Sequence, residues 1–119
     1  ILSGLVGSEM CIRDRDNGKY AIGVDSNQNY LHPGTMLTSM LKRVDVAAYN
    51  VFKSANDGSW KSGIQVLGLK EGGIDWALDE HNKNLISPAM KAAVEKAKAS
   101  IIAGEISVHD YMSDNKCPK

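Results

Sequence analysis

The sequence predicts an α/β fold, a sheet flanked by helices, and three observations carry that prediction. Two short apolar runs, Tyr20–Asp25 and Ile64–Leu69, have the length and composition of strands covered on both faces. Two longer segments, one from Val44 and one from Ser87-Pro88, place apolar residues at helical spacing. The two kinds of segment alternate along the chain, as they do in layered α/β architectures. With 119 residues, the chain is long enough for one small domain with a modest core.

Taken in order, residues 19–25 run apolar through Tyr20, Ala21, Ile22 and Val24 and end on Asp25. Asn27, Gln28, Asn29 and then His32-Pro33-Gly34 form a turn-rich loop. Residues 35–41 mix Thr35, Thr38 and Ser39 with Met36, Leu37, Met40 and Leu41, a pattern open to either a strand or the start of a helix. From Val44 the spacing is helical: Val44, Ala47, Ala48, Val51, Phe52 and Ala55 share one face. Gly58, after Asn56-Asp57, suits the left-handed position that closes a helix. A buried strand is expected over 64–69, a turn at Gly72-Gly73 and a further short strand over 74–78. Ser87 as cap and Pro88 at the first helical position start a second helix. Its apolar stripe is Ile86, Met90, Ala93, Val94, Ala97 and Ile101, with Lys91, Glu95 and Lys98 opposite, and Gly104 stops it. A last strand is expected over 106–108, before a polar tail.

Composition narrows the class. Fourteen basic and fourteen acidic residues give a formal net charge of zero, without the basic excess of nucleic-acid or membrane-surface binders. No apolar run reaches the roughly 20 residues of a membrane-spanning helix. Residues 1–15 are worded like translated sequencing-adapter readthrough. Their Arg13 and Arg15 follow the apolar run instead of preceding it, so they do not read as a signal peptide. They are expected to be a non-native leader, leaving 16–119 as the structural unit. Cys11 lies in that leader. Cys117 is read either as the partner of a cysteine elsewhere in a longer exported protein or as a free thiol.

Asp25 and Lys42 stand out as candidate ligand-binding residues, an acid and a base at two strand ends, where open α/β sheets bind their ligands. A carboxylate there can accept hydrogen bonds from two vicinal hydroxyls, and a lysine beside it can donate to them. Burial of either charge alone would be costly, and pairing makes an occluded polar site tolerable. The competing reading is a solvated turn aspartate and a surface lysine. Asp25-Ser-Asn27-Gln-Asn29 has the rhythm of a calcium loop. However, Tyr30 takes the place of the required glycine and Met36 that of the bidentate glutamate. Gly68-Leu-Lys-Glu-Gly72-Gly73 is too short for a phosphate-binding loop and reads as a tight turn or as backbone beside a cleft. His32, His81 and His109 are not at metal-ligand spacing, and no nucleophile–base–orienter set is recognisable. No metal, no cofactor and no catalysis are expected; Trp60 and Trp76 are read as packing residues.

Four segments, Tyr20–Asn29, Leu37–Tyr49, Gly63–Ile74 and Gly104–Val108, together resemble the basic membrane protein family of ABC-transporter substrate-binding lipoproteins, most of all its purine nucleoside receptors. The resemblance covers roughly residues 18 to 119 and only the last part of the family pattern. It implies a strand over 35–41 and the C-terminal portion of a type I periplasmic-binding-protein fold, a parallel sheet flanked by helices. It also implies a role in binding without turnover: capture of a small polar solute, a nucleoside, between two lobes for delivery to ABC permease subunits, with no nucleic-acid partner. Asp25 and Lys42 would contact the ribose. The implied location is periplasmic or cell-surface, with membrane association only through an N-terminal lipid anchor outside this chain. A sensor domain of a signalling receptor and a flavodoxin-like or sugar-modifying α/β enzyme are the alternatives.

Overall fold

A computed structural model describes residues 16–115 and divides the chain into two compact units at Ser87/Pro88. The first holds a three-stranded sheet of order β1-β2-β3, with β1 at Ala21–Gly23, β2 at Met36–Lys42 and β3 at Ile74–Trp76. β1 and β2 run parallel, with Ala21 opposite Met36 and Gly23 opposite Ser39. β3 runs antiparallel to β2, with Met40 opposite Trp76 and Lys42 opposite Ile74. β1 and β2 are thus the parallel pair expected of the fold class, and β3 adds an antiparallel edge that was not foreseen. A parallel pair needs a crossover, and here residues 24–35 supply it, with a 3₁₀ turn at Asn29–Leu31. The 35–41 segment resolves as a strand, as the resemblance implied.

Helix α1, Val44–Asp57, begins one residue after β2 and ends at Gly58, whose φ of 76° is the left-handed closure expected there. Its first turn carries Asp45, favourable against the positive end of the helix. Arg43 donates to both oxygens of that carboxylate, from Nε and from a terminal guanidinium nitrogen, at 3.0 and 2.8 Å. These hydrogen bonds hold the Asp45 pKa down at about 2.

Two expected strands do not form. Residues 63–68 form no strand, and Ile64 and Val66 are 98% and 84% exposed, so this segment is not the buried strand anticipated. Residues 106–108 are likewise irregular and exposed. Strand propensity yields a strand only where a partner is hydrogen-bonded, and neither segment is paired in the sheet. β1 also departs from the expectation of two covered faces: Ile22 and Val24 are exposed.

The second unit contains α2, Pro88–Ile102, and a short α3, Tyr111–Asp114. Gly104, with φ 78°, follows α2 as expected. No residue of α2 is buried, and the stripe residues Met90 and Val94 are each 40% exposed. The division into a buried and a solvated face is thus not realised in this chain. The expectations for residues 1–15 and for Cys117 lie outside the described residues.

What is buried is concentrated around β2. Met36 and Ala77 are the buried apolar residues among those described, against Asn29, Thr35, Ser39 and Asn82 among the polar ones. Gly23 makes this packing possible. A Cβ there would lie 2.6 Å from Ser39 Oγ and 3.1 Å from Met36 Cε. In chemical denaturation of the chain, Met36→Ala is expected to cost about 2–5 kcal/mol, as large-to-small core changes do. Val94→Asp, on the uncovered helix, is expected to cost less than about 1 kcal/mol. Equal losses for the two would show that α2 is packed and that the core is misassigned.

Candidate functional site

The parallel pairing of β1 and β2 brings their carboxyl ends together, and this is where Asp25 and Lys42 meet. The Lys42 backbone N–H donates to the Asp25 carbonyl at 2.8 Å, extending the β1–β2 contact past the end of β1. On its other side Lys42 is opposite Ile74 of β3. The two candidate residues are therefore main-chain neighbours, although 17 positions apart in the chain. Their side chains differ from expectation: both residues are exposed, and no ion pair joins the carboxylate to the ammonium. The charges stay in water, where neither needs the other.

Asp25 has φ 73°, in the left-handed region. Aspartate and asparagine enter it more readily than other side chains, but still at a cost. The turn that follows is built tightly. Ser26 N–H and the Gln28 side-chain amide both donate to the Val24 carbonyl, at 3.0 and 2.9 Å.

Beyond that turn the Asn27–Asn29 segment, whose spacing resembles a calcium loop, makes a different use of its amides. Asn27 Nδ2 and Asn29 Nδ2 both donate to Asp79 Oδ2, at 2.6 and 3.1 Å. The backbone N–H of His81 donates to Asp79 Oδ1 at 2.8 Å. Ser39 Oγ donates to Asn29 Oδ1 and accepts from the Gln28 N–H. Asn82 accepts from the Asp79 N–H and donates to the carbonyls of Leu37 and Ala77. This network ties the β1–β2 crossover to the segment after β3. Among the described residues no group of three or more metal-ligating side chains is assembled.

A cleft of about 230 Å³ opens beside Lys42, lined by Arg43, Val44, Ala47, Gln65, Leu67 and Gly73. Leu67 and Gly73, at the two ends of the glycine-rich turn, form one wall. Gly73 N–H donates to the Gly68 carbonyl and Gly73 O accepts from the Arg43 N–H, so the segment is the tight turn expected, and Gly73 lines this cleft. A side chain at Gly73 would meet Leu67: a Cβ would lie 2.5 Å from that residue's Cβ and closer still to its carbonyl oxygen. Asp25 does not line the cleft. The sequence reading missed Arg43 and Gln65 here, and it missed Asp79 and Asn82 in the network. The signal available for the last two was an aspartate and an asparagine three apart in a polar stretch, the wording of a local turn.

The carboxylate of Asp79 shows how the network responds to acid. Burial opposes its charge, but the hydrogen bonds from Asn27, the His81 backbone and Asn29 outweigh burial and lower its pKa. A group with a depressed folded pKa adds stability that is present above its unfolded value and lost as the pH falls through the folded one. Stability should therefore decline from about pH 5 downward, given an unfolded aspartate pKa of roughly 3.9. Asp79→Asn should flatten that decline, because the titrating group is gone. Denaturant midpoints of both proteins across pH 3–7 measure it, and parallel curves would remove Asp79 from the acid response.

Comparison with known proteins adds what geometry cannot. A family model described as ABC transporter substrate-binding protein PnrA-like matches residues 8–111, beginning inside the segment read above as a leader. An uncharacterized lipoprotein of Pyrococcus abyssi is 48% identical over 60 residues, half of this chain and 15% of that protein. The ABC transporter nucleoside-binding protein BmpA of Lactococcus lactis is 33% identical over 99 residues, 75% of this chain and 27% of that protein. Among solved structures, an ABC transporter solute-binding protein from Aeropyrum pernix superposes with a TM-score of 0.62 at 28% identity, covering 88% of this chain and 37% of that one. The chain thus spans between about a seventh and two fifths of the length of these relatives.

Proposed function

We infer the function from the family to which this chain belongs, the PnrA-like ABC transporter substrate-binding proteins. Within a protein of its relatives' length, the chain contributes to a solute-binding site for an ABC uptake transporter, and the solute is a nucleoside. The nucleoside-binding name of the Lactococcus relative supports that choice of solute. The lipoprotein name of the Pyrococcus relative supports a surface-anchored location, with permease subunits as the partners.

The observation that carries the site assignment is the backbone hydrogen bond from Lys42 to Asp25 at 2.8 Å. It sets an acid and a base next to one another along the main chain at the carboxyl ends of two parallel strands, with side chains that no group among the described residues engages. Two such groups suit a ribose: the carboxylate accepts from its vicinal hydroxyls and the ammonium donates to the same oxygens. Enclosure by a second lobe would strip water from both charges and make each contact stronger than it is in the open. The site binds and releases, and its solute is expected to be recovered unaltered.

In the full-length protein, Asp25→Ala and Lys42→Ala should each weaken nucleoside binding, since removal of one charged partner from an enclosed contact costs about 2–5 kcal/mol. That is roughly thirtyfold or more in affinity. Calorimetric titration of purine and pyrimidine nucleosides against wild type and both variants is the measurement. Unchanged affinity in Asp25→Ala would make the carboxylate a turn residue. Failure of every nucleoside to bind wild type would remove the solute class.

A further inference from the structure

Asp25 sits in a costly backbone conformation, and the turn that holds it is anchored from outside. The anchor is Asp79. Its Oδ2 accepts from Asn27 and Asn29, two and four residues beyond Asp25, and its Oδ1 accepts from the His81 backbone. Asp79 is fixed in turn by the bond from its own N–H to Asn82, which is fully buried and bound to two carbonyls beside β2 and β3. With both oxygens engaged, Asp79 is a clamp between two segments 50 residues apart in the chain and has little left to offer a solute.

We propose that Asp79 is a positioning residue for the solute site, acting through Asn27 and Asn29 to keep Asp25 in its left-handed conformation beside Lys42. The inference rests on the solute-binding reading above. A carboxylate that must meet two hydroxyls at once gains from a backbone that is already in place, because no ordering is left to be done on binding. Without the clamp, the turn after β1 keeps its bonds to the Val24 carbonyl and from the Lys42 N–H but loses its outer anchor, so it relaxes more readily toward right-handed φ, which any aspartate prefers. The carboxylate then samples positions in which it no longer faces the same ligand atoms as Lys42.

Asp79→Asn tests this. The change keeps the shape but leaves one acceptor oxygen where three donors now converge. In the full-length protein, titrated with the same nucleosides, it should weaken binding about tenfold. In an Asp25→Ala background it should weaken binding less than about twofold, since a missing carboxylate cannot be mispositioned. A merely structural role would cost the same factor in both backgrounds, and that result overturns the proposal. Asn27→Ala, at an exposed residue, should show the same pattern with a smaller loss, and it serves if Asp79→Asn does not fold. The backbone of Asp25 gives a readout that needs no solute. Its amide cross-peak and HN–Hα coupling should shift in Asp79→Asn, and an unchanged Asp25 overturns the proposal whatever the protein binds. If Asp25→Ala alone leaves affinity intact, the site assignment itself is wrong and the positioning claim falls with it.

Discussion

The arrangement of the three strands depends on a network of buried amides and a hydroxyl, closed by a half-buried carboxylate, more than on an apolar core. Asn29, Ser39 and Asn82 are fully inaccessible, while Met36 and Ala77 are the buried apolar residues beside them. No buried side-chain polar atom among the described residues lacks a partner. That completeness matters, because a single orphaned group would cost about 1–3 kcal/mol, more than one ordinary hydrogen bond contributes. Such a network is close to all-or-none: each amide is fixed by two others, so loss of one loosens the rest. The close approach at Gly23 and the mixed strand order are both built around it.

The helices follow a different logic. α1 carries Tyr49, Val51 and Phe52, and α2 carries Met90 and Val94, all well exposed in this chain. Helical periodicity was legible in the sequence for both. The caps were equally plain, with Gly58 and Gly104 each left-handed where expected. Periodicity reports which face of a helix is apolar; it does not report whether the surface that covers it lies in the same chain. For that reason the extents of α1 and α2 were readable and their burial was not. The exposed, unpaired Ile64–Val66 stretch makes the same point, since its β-branched residues mark a strand former but not whether a partner strand is there to pair with it.

The candidate site was legible by halves. Asp25 and Lys42 were recognisable because each ends a strand, and a parallel pair must bring its carboxyl ends to the same side. Their exposure and lack of an ion pair were not readable, because side-chain solvation depends on everything that surrounds them. Asp79 was invisible for a separate reason. Asn27, Asn29, Asp79 and Asn82 are all ordinary turn residues in isolation, and only the fold reveals that two turns 50 residues apart share one carboxylate.

The left-handed backbone at Asp25 constrains which amino acid can stand there. Asparagine would keep the conformation, since it enters that region about as readily, but it would lose the negative charge. Glutamate would keep the charge but would not readily accept the conformation, lacking the short side chain that bonds locally to its own backbone. Glycine would be comfortable in the turn and contribute nothing to a ligand. Of the standard residues only aspartate meets both demands. The usual exchange of one acid for the other is therefore not conservative at this position, and comparing the asparagine and glutamate forms separates what the backbone requires from what the charge does.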